Sequence, residues 1–336
     1  MKKLILFSFT IISSFLLSQK CTIDTLLTDK ISIRAIQLWD GKVWYAGTDS
    51  KFGYVDLKNF NNKKQIRLSQ KSLQFRTLAQ NNKYFYTINI ESPAYFFQID
   101  KQNLHSKIVK VDTVKSAFYD ALIFSNNNRG LAISDPNKNF NSFAFTKNGG
   151  ENWRKDDGHK KLDYYDGEAH FAASNTNVAF QDKKIWIATG GTKARIFKLS
   201  NYSWQAFETP FTQGTSSQGI YSIDFYDKNF GIAVGGDYTK QSENINNIAT
   251  TNDGGQTWQI QASGQNAGYM TCVKFRPKTK GKEIVAVGDQ HISFSSDYGK
   301  TWTKISDEKN LYACEWLDKN TLILAGKDKI VKMNFQ

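Results

Sequence analysis

Thr251-Asn252-Asp253-Gly254-Gly255-Gln256-Thr257-Trp258 decides how this chain is read, because the segment recurs. A second copy runs Ser295-Ser296-Asp297-Tyr298-Gly299-Lys300-Thr301-Trp302, and a looser third runs Thr146-Lys147-Asn148-Gly149-Gly150-Glu151-Asn152-Trp153. All three fit S/T-x-D/N-x-G-x-T/N-W. Each part of the pattern has a mechanical role in a hairpin turn. Asp or Asn caps its own backbone, Gly takes a positive φ, and Trp packs as the next strand begins.

Short apolar strands surround these turns. Val43-Trp44-Tyr45-Ala46-Gly47, Ile185-Trp186-Ile187-Ala188-Thr189-Gly190, Gly231-Ile232-Ala233-Val234-Gly235, Ile284-Val285-Ala286-Val287-Gly288 and Leu322-Ile323-Leu324-Ala325-Gly326 are β-rich and end in small residues. Another strand precedes each of these five, and two more of the same kind, at Gln74 and Phe118, bring the number of such first strands to seven. These first strands begin at Ser32, Gln74, Phe118, His170, Ile220, Met270 and Tyr312, spaced by 42, 44, 52, 50, 50 and 42 residues. The spacing predicts an all-β fold: a seven-bladed β-propeller of four-stranded antiparallel blades, one domain over residues 21–336. The chain runs out after the third strand of the last unit. Thr22-Ile23-Asp24-Thr25-Leu26-Leu27 is expected to supply the fourth, closing the ring and removing an open edge. Period-two alternation and Gly-rich turns exclude a helical solenoid.

The 336 residues are 40% hydrophobic and 14% aromatic, which excludes collagen-like and disordered classes, and three Cys exclude a disulfide scaffold. Lys2 and Lys3 form a positive start, residues 4–17 are apolar apart from Ser and Thr, and Ser18-Gln19-Lys20 is a polar exit. The apolar stretch would span only ~21 Å as a helix, against a hydrocarbon core of ~30 Å. Residues 1–20 therefore read as a signal peptide, and the mature protein is expected in the periplasm or outside the cell. Gln19 and Lys20 stand where a lipoprotein signal has small residues before its cysteine, so lipidation at Cys21 is not expected. No later segment is apolar enough to cross a membrane. The formal charge of +13 is spread along the chain and reads as solvated surface. With export, and without any of the usual binding motifs, nucleic acid is not an expected partner.

The repeated turn resembles the Asp box of BNR-type propellers. Phe75-Arg76, Asp120-Ala121, Ser134-Asp135-Pro136, Gly167-Glu168-Ala169-His170-Phe171-Ala172-Ala173-Ser174-Asn175-Thr176, Thr189-Gly190-Gly191, Ala194-Arg195, Gly219-Ile220-Tyr221-Ser222 and Val234-Gly235-Gly236-Asp237-Tyr238 widen the likeness. Through them, nearly everything after residue 22 resembles the seven-bladed propellers of the photosystem II assembly/stability factor family and their exported bacterial relatives. The chain departs from that family in lacking clear Asp boxes in blades 1, 2 and 4, where residues 200–204 are a shortened remnant. The resemblance implies protein binding in the service of assembly. It implies no particular partner, and the oxidoreductase label of some relatives finds no support in the residues.

In register, the middle residues of the seven first strands are Arg34, Arg76, Asp120, Ala172, Ser222, Cys272 and Cys314, a ring around the central channel. Asp135, Glu168, Arg195, Asp237 and Tyr238 fall at strand ends or turns. The candidate binding residues are therefore Arg34, Arg76, Asp120, Asp135, Glu168, Arg195, Ser222, Asp237 and Tyr238, a pocket whose Arg geometry suits a carboxylate or an acidic peptide tail. Alternatively, Arg34, Arg76 and Asp120 pair across blades and hold the channel together. A sialidase-like enzyme needs an Arg cluster, a Tyr with a Glu partner and a carboxylic acid. Arg34, Arg76 and Arg195, with Asp120 and Tyr238, offer some of these, but the Arg-Ile-Pro signature is absent.

Gly235-Gly236-Asp237 and Gly190-Gly191-Thr192 are not G-x-G-x-x-G, so no dinucleotide cofactor is expected. No metal is expected either. His105, His159, His170 and His291 are scattered, and Asp156-Asp157, Asp163 and Asp166 read as a solvated loop. Cys272 and Cys314 hold equivalent positions in adjacent blades, so their side chains should point the same way round the ring and remain unbridged thiols. The expected function is that of a monomeric, non-catalytic exported propeller that binds a protein or peptide, an assembly or stability factor for an envelope complex. A sialidase-like glycan-binding or hydrolysing enzyme and an oxidoreductase are the alternatives.

Overall fold

The computed structural model describes residues 20–136, 143–155, 162–201 and 203–336. The expected signal peptide, apart from Lys20, and the Asp156-Asp157 part of the acidic loop lie outside the described residues. Among the described residues every regular element is a β-strand, and the strand pairs are antiparallel. No helix among them is long and apolar enough to cross a membrane. The fold is an all-β propeller.

Hydrogen bonding groups the strands into six sheets rather than the seven separate blades expected. Two long strands cause the merger. Cys21–Trp39 pairs through its first half with Thr321–Phe335, from Cys21↔Phe335 to Ser32↔Lys327, and through its second half with Lys42–Gly47. Thr321–Phe335 doubles back on itself, since Phe335 N donates to Asn320 O at 2.8 Å, and its first arm pairs with Leu311–Trp316. One six-stranded sheet thus holds two repeat units fused through the N-terminal strand.

Two further departures have local causes. Tyr119–Phe124, Gly130–Ser134 and Phe143–Thr146 form a three-stranded sheet, and an isolated bridge, Phe145↔Arg154, stands where a fourth strand was expected. The second departure concerns His170-Phe171-Ala172-Ala173-Ser174, expected to be a first strand. The inner strand of that unit is instead Val178–Gln181, which pairs with Lys184–Ala188. Just before the displaced segment, Glu168–Ala169 pairs with Gly190–Gly191, and Gly190 pairs with Gly219, which adds these two short strands to the sheet of Gln218–Phe225 and makes it six-stranded too. A Cβ on Gly219 would lie 2.3 Å from the Gly190 Cα, so this approach requires glycine.

Residues 171–176 then cross the hub. Arg34 Nη1 donates to Ala173 O at 3.1 Å, and Ser174 Oγ donates to Thr271 O at 2.6 Å. Asn175 Nδ2 donates to Leu78 O and Leu122 O, while Leu122 N donates to Asn175 Oδ1 at 2.8 Å. Three consecutive residues therefore bond to four separate inner strands, which only a segment lying across the axis can do. The channel is plugged.

The repeated turn latches one unit to the one before it. Gly255 N donates to Thr251 Oγ1, Thr257 Oγ1 donates to Asp253 Oδ2 at 2.6 Å, and Trp258 Nε1 donates to Gly255 O. The copy at Ser295, Asp297, Gly299, Thr301 and Trp302 repeats these bonds. Against the cost of burial, hydrogen bonds from Thr257, Thr251 and Gln256 hold the Asp253 carboxyl down at about 2. The outward carbonyl of the turn is used as well. Gly254 O accepts from Trp186 Nε1 of the preceding unit at 2.9 Å, and Gly149 O accepts from the Tyr86 hydroxyl. Trp186 also stacks on Phe225 with centroids 3.9 Å apart, and burying such a ring contributes about 2–3 kcal/mol.

Candidate functional site

Inner strands of this fold carry a bulge at a recurring place. Register slips past Arg34 between Ile33 and Ala35, past Tyr221 between Ile220 and Ser222, and past Tyr312 between Leu311 and Ala313. Asp120 is the skipped residue opposite Ile133 and Ser134. A bulge leaves one residue out of the ladder and re-aims its side chain, here toward one mouth of the hub. Arg76 follows the Phe75↔Asn89 bridge at the corresponding place. The expected ring is therefore right at Arg34, Arg76 and Asp120 and displaced elsewhere. Tyr221 takes the place assigned to Ser222, Thr271 that of Cys272, and Tyr312 that of Cys314. Ala172 is in the plug.

At this mouth the Arg34 guanidinium lies 4.0 Å from the Tyr312 ring centroid. Beside it, Phe171, Tyr221 and Tyr269 form an aromatic wall, the first two stacked at 4.1 Å and the last two edge-on at 4.9 Å. Burial depresses the Arg76 pKa and the like charge of Arg34 depresses it further, with Asp120 and Glu91 opposing. Neither guanidinium has an ion pair among the described residues, so the alternative of Arg34 and Arg76 pairing with Asp120 to lace the blades together is not what forms. Two cations without an ion pair among the described residues thus stand beside this aromatic wall.

Asp120 sits beneath them with no exposed surface, and neither carboxylate oxygen has a hydrogen bond of normal geometry. Burial first, then the nearby Asp135 charge, push its pKa well above the usual range, against the pull of Arg76 and the Ala172 backbone. Asp135 accepts from His170 N at 3.0 Å, and burial pushes its pKa up to about 6. His170 is neutral, its pKa lowered by burial to about 4. Its Nδ1 must donate, because its partner at 3.1 Å is the Ala188 carbonyl, and Nε2 then accepts from the Tyr164 hydroxyl. Asp289, half-buried and bonded by Gln241 Nε2, adds a further carboxyl raised by burial and opposed by Arg34.

The other expected residues are committed elsewhere. Arg195 and Glu168 form a buried bidentate pair, Nη2–Oε2 at 2.6 Å and Nε–Oε1 at 3.0 Å, with Thr189 Oγ1 also donating to Glu168. Arg195 is thus unavailable to the three-Arg cluster that a sialidase-like site needs. Asp237 accepts from Thr239 N and Oγ1 and shapes its own turn, whereas Tyr238 is 51% exposed at the rim. Ser222 Oγ is inside, bonded to Thr176 Oγ1 at 2.7 Å and accepting from Val273 N. Gly190, Gly219 and Gly235 pack backbone on backbone, which leaves them no loop for a phosphate. Among the described residues no three His, Cys, Asp or Glu side chains are grouped to hold a metal.

Sequence reading missed Tyr221, Tyr269, Tyr312, Phe171 and Asp289. A signal for the tyrosines was available. Ile33-Arg34-Ala35, Phe75-Arg76-Thr77, Tyr119-Asp120-Ala121, Ile220-Tyr221-Ser222 and Leu311-Tyr312-Ala313 all read large, variable, small. Aligning on the small residue restores the register.

On the far side of the plug the hub opens into a cavity of about 240 Å3 lined by Gln37, Gln80, Asn175, Lys274, Cys314 and Glu315 among others. Lys274 Nζ lies 2.8 Å from Glu315 Oε2 there.

No protein-family model and no curated protein matches the sequence. Among solved structures the chain is similar to YCF48 bound to a D1 peptide, at 13% identity and TM-score 0.64, over 94% of this chain and 96% of that one. It is also similar to YCF48 from Cyanidioschyzon merolae, at 14% identity and TM-score 0.65, over 94% and 98%. A streptogramin B lyase matches at 13% identity and TM-score 0.71, again over 94% and 98%. At such identities the likeness is one of fold.

Proposed function

We propose that this chain is an exported, monomeric propeller that binds a protein or peptide partner at the Arg34 and Arg76 mouth and performs no chemistry there. The observation that carries the reading is the pair of guanidiniums converging without an ion pair on a mouth walled by Tyr221, Tyr269 and Tyr312. Such a site suits a carboxylate, as at the end of an acidic tail, flanked by an apolar side chain for the rings. The plug gives the mouth a floor, so a partner would dock on it rather than thread through. Support from the fold is general: one similar propeller is a YCF48 with a bound peptide.

Export rests on the charge and apolar pattern of residues 1–20, and service to an envelope complex rests on export together with the family resemblance. In the same reading the six-stranded sheet that contains Cys21–Trp39 counts as two sectors of the ring, and the repeated turns are Asp boxes that brace sectors rather than bind. Co-purification from the cell envelope tests the reading. A partner is expected with the unaltered chain and is expected to be lost with the Arg34→Ala, Arg76→Ala double variant. Equal recovery from both would remove this mouth from consideration.

A further inference from the structure

Cys272 and Cys314 do not point the same way round the hub. Their Sγ atoms lie 3.6 Å apart, both buried, at the interface of two neighbouring units. The bulge register explains why. Thr271 is the counterpart of Tyr312, so Cys272 corresponds to Ala313 and Cys314 to Val273. Adjacent positions on a strand face opposite sides. The one-step offset therefore turns Cys272 toward the next unit and Cys314 back toward the previous one.

The surroundings favour one shared negative charge. Cys314 S–H is directed at Cys272 Sγ, and Thr176 Oγ1 lies 3.7 Å from the same sulfur. The charged groups facing the pair are Lys274, beyond Cys272 on its strand, Glu315, beside Cys314 and paired with Lys274, and Asp224 on the preceding inner strand. The Cys314 S–H, and then the Lys274 ammonium against the cost of burial, draw the Cys272 thiol down to about 7, while the resulting charge drives Cys314 up. Cys314 also lines the 240 Å3 cavity on the far side of the plug, space for several molecules the size of water.

We propose that Cys272 and Cys314 are a peroxide-reactive dithiol that closes to a disulfide between the inner strands of neighbouring units, with hydrogen peroxide entering through the cavity. The charge resides on Cys272, 3.6 Å behind the Cys314 sulfur at the cavity, and Cys314 keeps the shared proton. The Cys272 thiolate attacks one peroxide oxygen: an S–O bond forms, the O–O bond breaks, and hydroxide leaves and takes the remaining thiol proton to become water. Cys314, now a thiolate, attacks the Cys272 sulfenic acid. The S–S bond forms, the S–O bond breaks, and the departing hydroxide is protonated by solvent. Two thiols and one peroxide give one disulfide and two waters. The sulfurs must close by about 1.5 Å, a side-chain adjustment rather than a strand movement.

The full chain is treated with excess hydrogen peroxide, unfolded in alkylating reagent, and measured by intact and peptide mass. Loss of two alkylation sites and a thiol-reversible link between the peptides holding Cys272 and Cys314 are expected. The rate should rise about tenfold per pH unit below 7 and flatten above it. In Cys314→Ser, Cys272 should accumulate as sulfenic acid trapped by dimedone. Full alkylation of Cys272 and Cys314 after peroxide, or oxidation no faster in the native chain than in the urea-unfolded one, would overturn the proposal without touching the reading of the opposite mouth.

Discussion

Arg195 and the Arg34/Arg76 pair were expected in one site, and the fold treats them oppositely. Arg195 is buried against Glu168 with two short bonds and a ring on each side, Tyr165 at 4.5 Å and Phe197 at 4.8 Å from its guanidinium. Arg34 has a carbonyl and a ring, and Arg76 has no close polar partner among the described residues. The same residue type serves as a strut in one unit and is left open in its neighbours. What separates them is position on the strand. Arg195 starts a third strand, within reach of the Glu168–Ala169 segment, while Arg34 and Arg76 occupy the inner-strand position that opens on the hub.

The contrast is broken most forcefully by Arg195→Ala. It leaves the Glu168 carboxylate buried without its partner, and a loss of about 3–5 kcal/mol in urea unfolding is expected. A loss below 1 kcal/mol would mean that the pair is no strut. Asp120→Asn should act in the opposite direction. Asp120 and Asp135, the latter at about 6, are raised by burial, so the folded state keeps their protons to higher pH than the unfolded chain does. Stability therefore falls as pH rises from about 4 through these raised values. His170, lowered to about 4, works the other way, its contribution being lost as pH falls through that range. The readout is accordingly the difference between variant and parent: Asp120→Asn is expected to be about 1–3 kcal/mol more stable at pH 7, with the gain vanishing toward pH 4. A pH-independent difference would contradict the burial argument. Arg34→Ala, which loses one hydrogen bond to the plug and one ring contact, is expected to cost about 1 kcal/mol, and the smallest effect belongs to Arg76→Ala, within about 0.5 kcal/mol of the parent.

Much of the fold was legible because the turn carries its own chemistry. Thr251, Asp253, Gly255 and Trp258 each make the bond that their residue type implies, and the N-terminal strand pairs with the C-terminal one from Cys21↔Phe335 onward. Less could be read where the ladder breaks its own period. A bulge adds one residue without changing composition, so counting in twos placed Ser222 where Tyr221 stands and mistook facing cysteines for equivalent ones. The plug was illegible for a related reason. His170-Phe171-Ala172-Ala173-Ser174 has a strand's composition, but its fate is set by the Gly190–Gly219 approach and by carbonyls on four distant strands. The sheet count failed on connectivity, since Cys21–Trp39 runs unbroken through two units. At the mouth, strand spacing placed Arg34, Arg76 and Asp120 on the inner strands, where the structure has them. Residue type does not reveal that Glu168 and Arg195 satisfy one another's charge.

The central claim is that the mouth of Arg34 and Arg76 captures a carboxylate. The direct measurement is fluorescence anisotropy of a labelled acidic peptide with a free C-terminus, compared with its C-terminally amidated twin, on the parent chain and on the Arg34→Ala, Arg76→Ala double variant. Binding weakened about tenfold or more by amidation and by the double substitution, with little further loss when the two are combined, is the expected result. Equal affinity in all four combinations would contradict it.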